Sequence, residues 1–172
     1  MKRVGLIAVL VSGLAISGVA MAQSHSDKEF LEKSSEGNVA EVELAKLALQ
    51  KSHNPQVRAF AQKMIHDHEM LARQMLPQEQ KAGVQPATSL DTEHQRVYDH
   101  LKDLSGAEFD KEYVQNMDMD HHHDLKEFQD EIASTKDPQL KQAVEAGEKV
   151  IAEHTRIIDG IARKMGMSPG NS

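Results

Sequence analysis

From residue 27 onward, apolar residues recur at spacings of three and four, and proline and glycine separate one such stretch cleanly from the next. Apolar and polar positions do not alternate convincingly over the length of a strand. The pattern predicts helices over 27–52 with Ser26 as N-cap, 55–82 entered through Asn54 and Pro55, 90–104, 106–135, and 138–165 capped by Asp137. Pro77 lies in the last turns of the second helix, where its missing N–H predicts a kink or an early end. Residues 83–87 read as a linker and 166–172 as a frayed tail. The connections around 52–55 and 135–138 make two similar tight hairpins, and a longer connection joins them. The expected fold class is all-α: a ferritin-like up-down four-helix bundle with the short extra helix along its crossover.

The first residues read as an address. Lys2 and Arg3 precede an uncharged run, Val4–Ala22, which is apolar from Leu6 to Ile16 and ends Ala20-Met21-Ala22, as signal peptidase prefers. Cleavage after Ala22 leaves residues 23–172 as one domain with its core over 27–165; an uncleaved anchor is the alternative. The segment implies export, with the bacterial periplasm as destination and no membrane span after cleavage. Losing Lys2 and Arg3 takes the formal charge from −7 to −9. That acidity argues against nucleic acid as a partner, since phosphate binding requires clustered Lys and Arg. Nothing names a protein partner, and a homo-oligomer is compatible with the sequence.

The chain has no cysteine, so disulfides, thiolate metal sites and cysteine nucleophiles are excluded. It has ten histidines against four Phe, two Tyr and no Trp. Three of them interrupt apolar stripes, one per helix: His68 between Met64 and Leu71, His121 between Met117 and Leu125, and His154 between Ile151 and Ile158. On the first helix Glu41 sits among Gly37, Asn38, Leu44, Ala45 and Ala48. Each of the four lies within about 2.5 residues of the middle of its helix, which at ~1.5 Å rise per residue places all four within ~4 Å of one level.

Three imidazoles and a carboxylate converging inside a bundle make a candidate metal site, Glu41/His68/His121/His154, suited to zinc, iron, copper or manganese. Asp67, Asp118 and Asp120 are the candidate outer partners. The alternative is a metal-free hydrogen-bonded layer that sets the packing register. A dinuclear oxidase is disfavoured, because the Glu-x-x-His pattern would need acids where Ile65 and Ile151 stand. No nucleophile elbow or phosphate-binding glycine loop is legible. Met117–His123 resembles a soft-metal tract, but successive helical residues point ~100° apart, so His121, His122 and His123 cannot share one ion. His122 therefore reads as solvated, His66 and His100 as surface residues, and His94 as a capped core histidine.

The runs Phe30–Lys33, Gly37–Ala48, Asn54–His68, Phe109–Val114 and Met119–His121 resemble the bacterial envelope family called domain of unknown function 4142, over about Asp27–Met165. The resemblance implies an exported ferritin-like helical bundle and no established activity. The family's motif acid and histidines would fall on Glu41, His68, His121 and His154, with His122 and His123 as a departure. Two functions follow as expectations: a periplasmic metal-binding protein for buffering or sensing, or a structural or envelope-stress interaction module with a pH-sensitive histidine layer.

Overall fold

Five helices and no strand are found among the described residues, 18–170, of a computed structural model: α1 (Gly18–Lys51), α2 (Pro55–Ala82), α3 (Thr92–Asp103), α4 (Gly106–Ser134) and α5 (Pro138–Lys164). The charged and apolar parts of the expected signal segment, residues 1–17, lie outside the described residues. No helix among the described residues is long and apolar enough to cross a membrane.

Local chemistry explains most of the boundaries. The Asn54 side chain accepts the Gln56 N–H, and the Asp137 side chain accepts the N–H groups of Gln139 and Leu140, each with proline at the first helical position. Asp91, expected inside the short helix, is instead its N-cap, accepting from Glu93 and His94. One other expectation is corrected, at the start of α1, and α2 keeps its expected bounds. α1 runs unbroken through Ser26 from Gly18, because Val19–Gln23 is rich in good helix formers and neither Gly nor Pro interrupts it. α2 passes Pro77 and ends only at Gly83 (φ 69°), where Gly83 and Val84 donate back to Gln80 and Glu79 and Val84 is buried.

The tail expected to fray also folds back. At Gly166 (φ 77°) the N–H groups of Gly166 and Met167 bond to Arg163 and Ala162, Met167 packs on the core, and Gly170 N–H donates to Asp118 Oδ2 at 2.8 Å.

The long helices touch in a ring, α1–α2–α5–α4–α1. Every neighbouring pair is antiparallel: Asn38 meets His68, Asp67 meets His154 while Lys81 meets Asp137, His122 meets Asp159 while Gln129 meets Glu148, and Phe30 meets Phe128 while Glu41 meets His121. The crossover from α2 to α4 climbs the outside of the α1/α4 seam. It is held by Ala87 N–H to Ser35 Oγ and by Lys51 Nζ to the Leu104 carbonyl, with α3 burying Leu101.

The apolar interior falls into two blocks. One gathers Leu44, Val57, Phe60, Met64, Phe109, Tyr113, Met117 and Ile158; the other gathers Phe30, Leu31, Met75, Phe128, Leu140, Val144 and Ile151. In the second block a Cβ on Gly147 would stand 2.7 Å from Phe128 Cε1, and Phe30 already holds that ring edge-on at 5.0 Å. Gly147→Ala is therefore expected to lower unfolding free energy by about 1–3 kcal/mol, read by urea titration.

At the same end, burial and then the nearby Asp27 raise the Glu131 carboxyl to about 7, so the folded chain holds a proton that the unfolded chain releases. Its contribution is full below about 4.5 and is lost as pH rises to 7. Glu131→Gln should match the natural protein at pH 4.5 and melt several degrees higher at pH 8; coincident melting curves at pH 8 would contradict this.

Candidate metal centre

Between the two apolar blocks lies a polar layer. α2, α4 and α5 contribute His68, His121 and His154, which are 3%, 1% and 0% exposed, and α1 contributes Glu41 at 3%. The three ring centroids are 5.3–6.1 Å apart, and one nitrogen from each ring lies within 4.8 Å of the others. Phe60 stands edge-on to His121 and His154 at 5.9 and 6.0 Å and closes the layer on the side of the first block.

Each imidazole is held from outside by one nitrogen. His68 Nδ1 is 3.1 Å from Asn38 Oδ1, His121 Nδ1 is 2.8 Å from the Met117 carbonyl, and His154 Nε2 is 2.8 Å from Asp67 Oδ2. Asp67 is itself fixed by Lys63 at 2.8 Å. Each acceptor assigns its proton to the outer nitrogen, as donors to an amide oxygen, a carbonyl and a carboxylate. The second nitrogens, His68 Nε2, His121 Nε2 and His154 Nδ1, are buried and have no hydrogen-bond partner. Unpaired buried polar atoms are costly, and three in one layer present three lone pairs with nothing to receive them.

Electrostatics keep these rings neutral. Burial first, then the charge that each neighbouring histidine would carry, pushes His68 well below the ordinary imidazole value and His121 down to about 3. His154 is also lowered by burial, less strongly because Asp67 favours its charged form. Such rings are deprotonated ligands at neutral pH without help from a metal.

Glu41 is adjacent to the layer but stands behind it. Its Oε1 is 3.5 Å from His121 Nδ1, the nitrogen turned toward Met117, and it is not within the 4.8 Å group. Its Oε2 has no partner, and it lines a cavity of about 340 Å³ under α3. Seven carboxylates line that cavity, Asp120 and Asp124 among them, against one lysine, Lys33. Burial, then repulsion from Asp120 and Asp124, raises Glu41 well above the ordinary range; burial likewise raises Asp120 to about 6 and, with repulsion from Asp120, Asp124 to about 7. A separate cavity of about 270 Å³ reaches His68 and Asn38 between Leu71, Met75, Phe128 and Ile151.

Of the expected outer partners, Asp67 holds His154, Asp120 lines the acidic cavity, and Asp118 faces the α4/α5 seam beside His122. His66 and His100 are exposed. His94 is not a core residue: it is half-buried, bonded to the Asp91 carboxylate, and lines the acidic cavity. Sequence reasoning missed Asn38 and the Met117 carbonyl as ring holders. The carbonyl leaves no trace in residue identity, whereas Asn38 could have been found as the one amide on the inner face of α1 at the right height.

Two solved structures share the fold. A DUF305 fragment from Deinococcus radiodurans is 16% identical, with 82% of this chain and 95% of that one aligned at a TM-score of 0.68. A DUF305 protein from Streptomyces coelicolor, described as a candidate secreted protein, is 13% identical, with 86% and 96% aligned at a TM-score of 0.70. At these identities the likeness concerns the fold alone. No curated protein matches the chain. The model of one family, described as "Domain of unknown function (DUF4142)", matches residues 15–161.

Proposed function

The chain belongs to the DUF4142 family, and from that footing we propose that it is an exported metal-binding protein whose His68, His121 and His154 hold one transition-metal ion for buffering or sensing. The observation that carries this reading is the set of three buried, unpartnered nitrogens, each on a ring whose other nitrogen is fixed by a different outer group. That is how metal-binding imidazoles are oriented.

Three neutral imidazoles with no carboxylate in the group favour zinc or copper over manganese, which prefers oxygen ligands, and leave iron less well matched. Glu41, its carboxyl raised well above the ordinary range, stands behind His121, and the acidic cavity offers cations a favourable field on the way in. The antiparallel ring of long helices with its outer crossover is read as a ferritin-like up-down four-helix bundle. The signal segment at residues 1–22 and a periplasmic destination complete the proposal.

Untagged protein isolated from a periplasmic extract and analysed by mass spectrometry should carry close to one equivalent of metal. A melting temperature unmoved by zinc, copper, iron or manganese in chelator-treated protein would overturn it. The second reading, a metal-free structural or envelope-stress module with an acid-sensitive layer, draws on the depressed values of His68 and His121. It predicts the melting behaviour of the metal-free protein but leaves the three inward lone pairs without a purpose.

A further inference from the structure

We propose a second cation site, on the opposite side of α4 from Glu41, formed by Asp118 Oδ1, His122 Nε2 and Asp159 Oδ1 and taking a divalent transition ion such as zinc or copper(II). One ligand atom from each of the three residues lies within 4.8 Å of the others. His122 Nε2 is 3.0 Å from Asp159 Oδ1 and 3.7 Å from Asp118 Oδ1. Tetrahedral zinc with bonds of about 2.0–2.1 Å sets neighbouring ligands about 3.3 Å apart, a value the two distances bracket.

Each carboxylate is anchored by the oxygen it does not offer. Asp118 Oδ2 accepts the Gly170 N–H at 2.8 Å, and Asp159 Oδ2 accepts from Arg163 at 2.8 Å. Asp118 is 3% exposed, and its Oδ1, directed at the His122 ring, is buried with no hydrogen-bond partner. That stranded oxygen separates this group from an ordinary surface ion pair, because a buried carboxylate oxygen without a donor calls for a cation.

His122 itself is 40% exposed, so the ion has direct access from solvent. The returning tail packs over the same place: a Cβ on Gly170 would meet the His122 ring at 3.5 Å. One imidazole and two carboxylates suit zinc or copper(II) and offer too few oxygens for calcium. Because His122 points away from the bundle interior, this site is filled and emptied independently of the histidine layer, and it stands whether or not that layer binds metal.

Zinc is titrated calorimetrically into chelator-treated full-length protein, with the Gly170 amide resonance followed in parallel. The expected isotherm has a weaker class of site, filled after the tight one, that shifts the Gly170 resonance. His122→Gln and Asp159→Asn should each weaken that class at least tenfold and abolish the shift, while His123→Gln, a ring paired with Glu127 in the next turn, leaves it unchanged. His68→Leu should remove the tight class and spare the weak one; if His68→Leu changes nothing while His122→Gln removes the single class seen, the layer reading fails and this one holds. An isotherm unaltered by both His122→Gln and Asp159→Asn overturns the proposal.

Discussion

His68→Leu should remove high-affinity zinc or copper binding while leaving the protein folded. His68 is the ligand to test because its outer holder, Asn38, is neutral and half-buried and shares a cavity with it, so losing the imidazole strands no buried charge. His154 is less suitable, since its loss would leave Asp67 without one of its two partners. The loss of affinity should exceed the roughly 10–100-fold that removal of an outer partner costs, which Asp67→Asn would show on its own. Competition with a chromogenic chelator reads both variants. In the natural protein a ligand present at 100 times its dissociation constant adds about 2.7 kcal/mol to stability, so the melting temperature should climb on adding metal and fail to climb in the variant. A variant that binds zinc as tightly as the natural protein would remove His68 from the site.

The second large effect is on pH dependence in the metal-free protein, where two groups of residues act in opposite directions. His121 is held near 3 when folded, so its contribution is complete above the ordinary 6.5 and is lost as pH falls toward 3. Asp120 and Asp124 are raised to about 6 and about 7, so theirs is complete below 3.8 and is lost as pH rises through those values. Between pH 4 and 6.5 the two slopes oppose one another, and the natural protein should show a shallow stability profile there. Asp120→Asn/Asp124→Asn removes the acidic half of the balance. It should melt several degrees higher than the natural protein at pH 7.5 and lose that advantage steeply on acidification to pH 4.5. Parallel profiles across this range would show that the acidic cavity does not act on folding. In zinc-loaded protein the acid limb should become release of metal, since protons and metal compete for the same three lone pairs.

The parts of this design legible in the sequence are those carried by periodicity and by single-residue caps. The stripes around His68, His121 and His154 put three rings on the inner faces of α2, α4 and α5 at one height, and Asn54, Pro55, Asp137 and Pro138 mark two helix starts. Height and facing are helix properties, and 1.5 Å per residue fixes them without knowledge of the packing.

Depth within the layer was not legible. Glu41 has the right level and face, yet it stands by the Nδ1 side of the His121 ring, which donates to the Met117 carbonyl one turn back, and not by Nε2. The His122 group was hidden for a similar reason: Asp118 and His122 are a visible i, i+4 pair, but Asp159 joins them from α5, 37 residues later in the chain than His122. The tail is ordered by Gly166, whose left-handed backbone closes the helix and returns Met167 to the core, a local geometry that a terminal position in the sequence does not announce.

The division of the interior into two apolar blocks has a consequence for how the molecule opens. At the layer, α2, α4 and α5 meet through polar atoms rather than through close-packed side chains. With an ion bound there, three helices are cross-linked at mid-height, and the two ends should exchange their amide hydrogens as one unit, with equal opening free energies. Without it, the end built on Phe30, Phe128 and Val144 can open while the end built on Phe60, Phe109 and Tyr113 stays closed. Metal occupancy would then set the number of cooperative units in the protein.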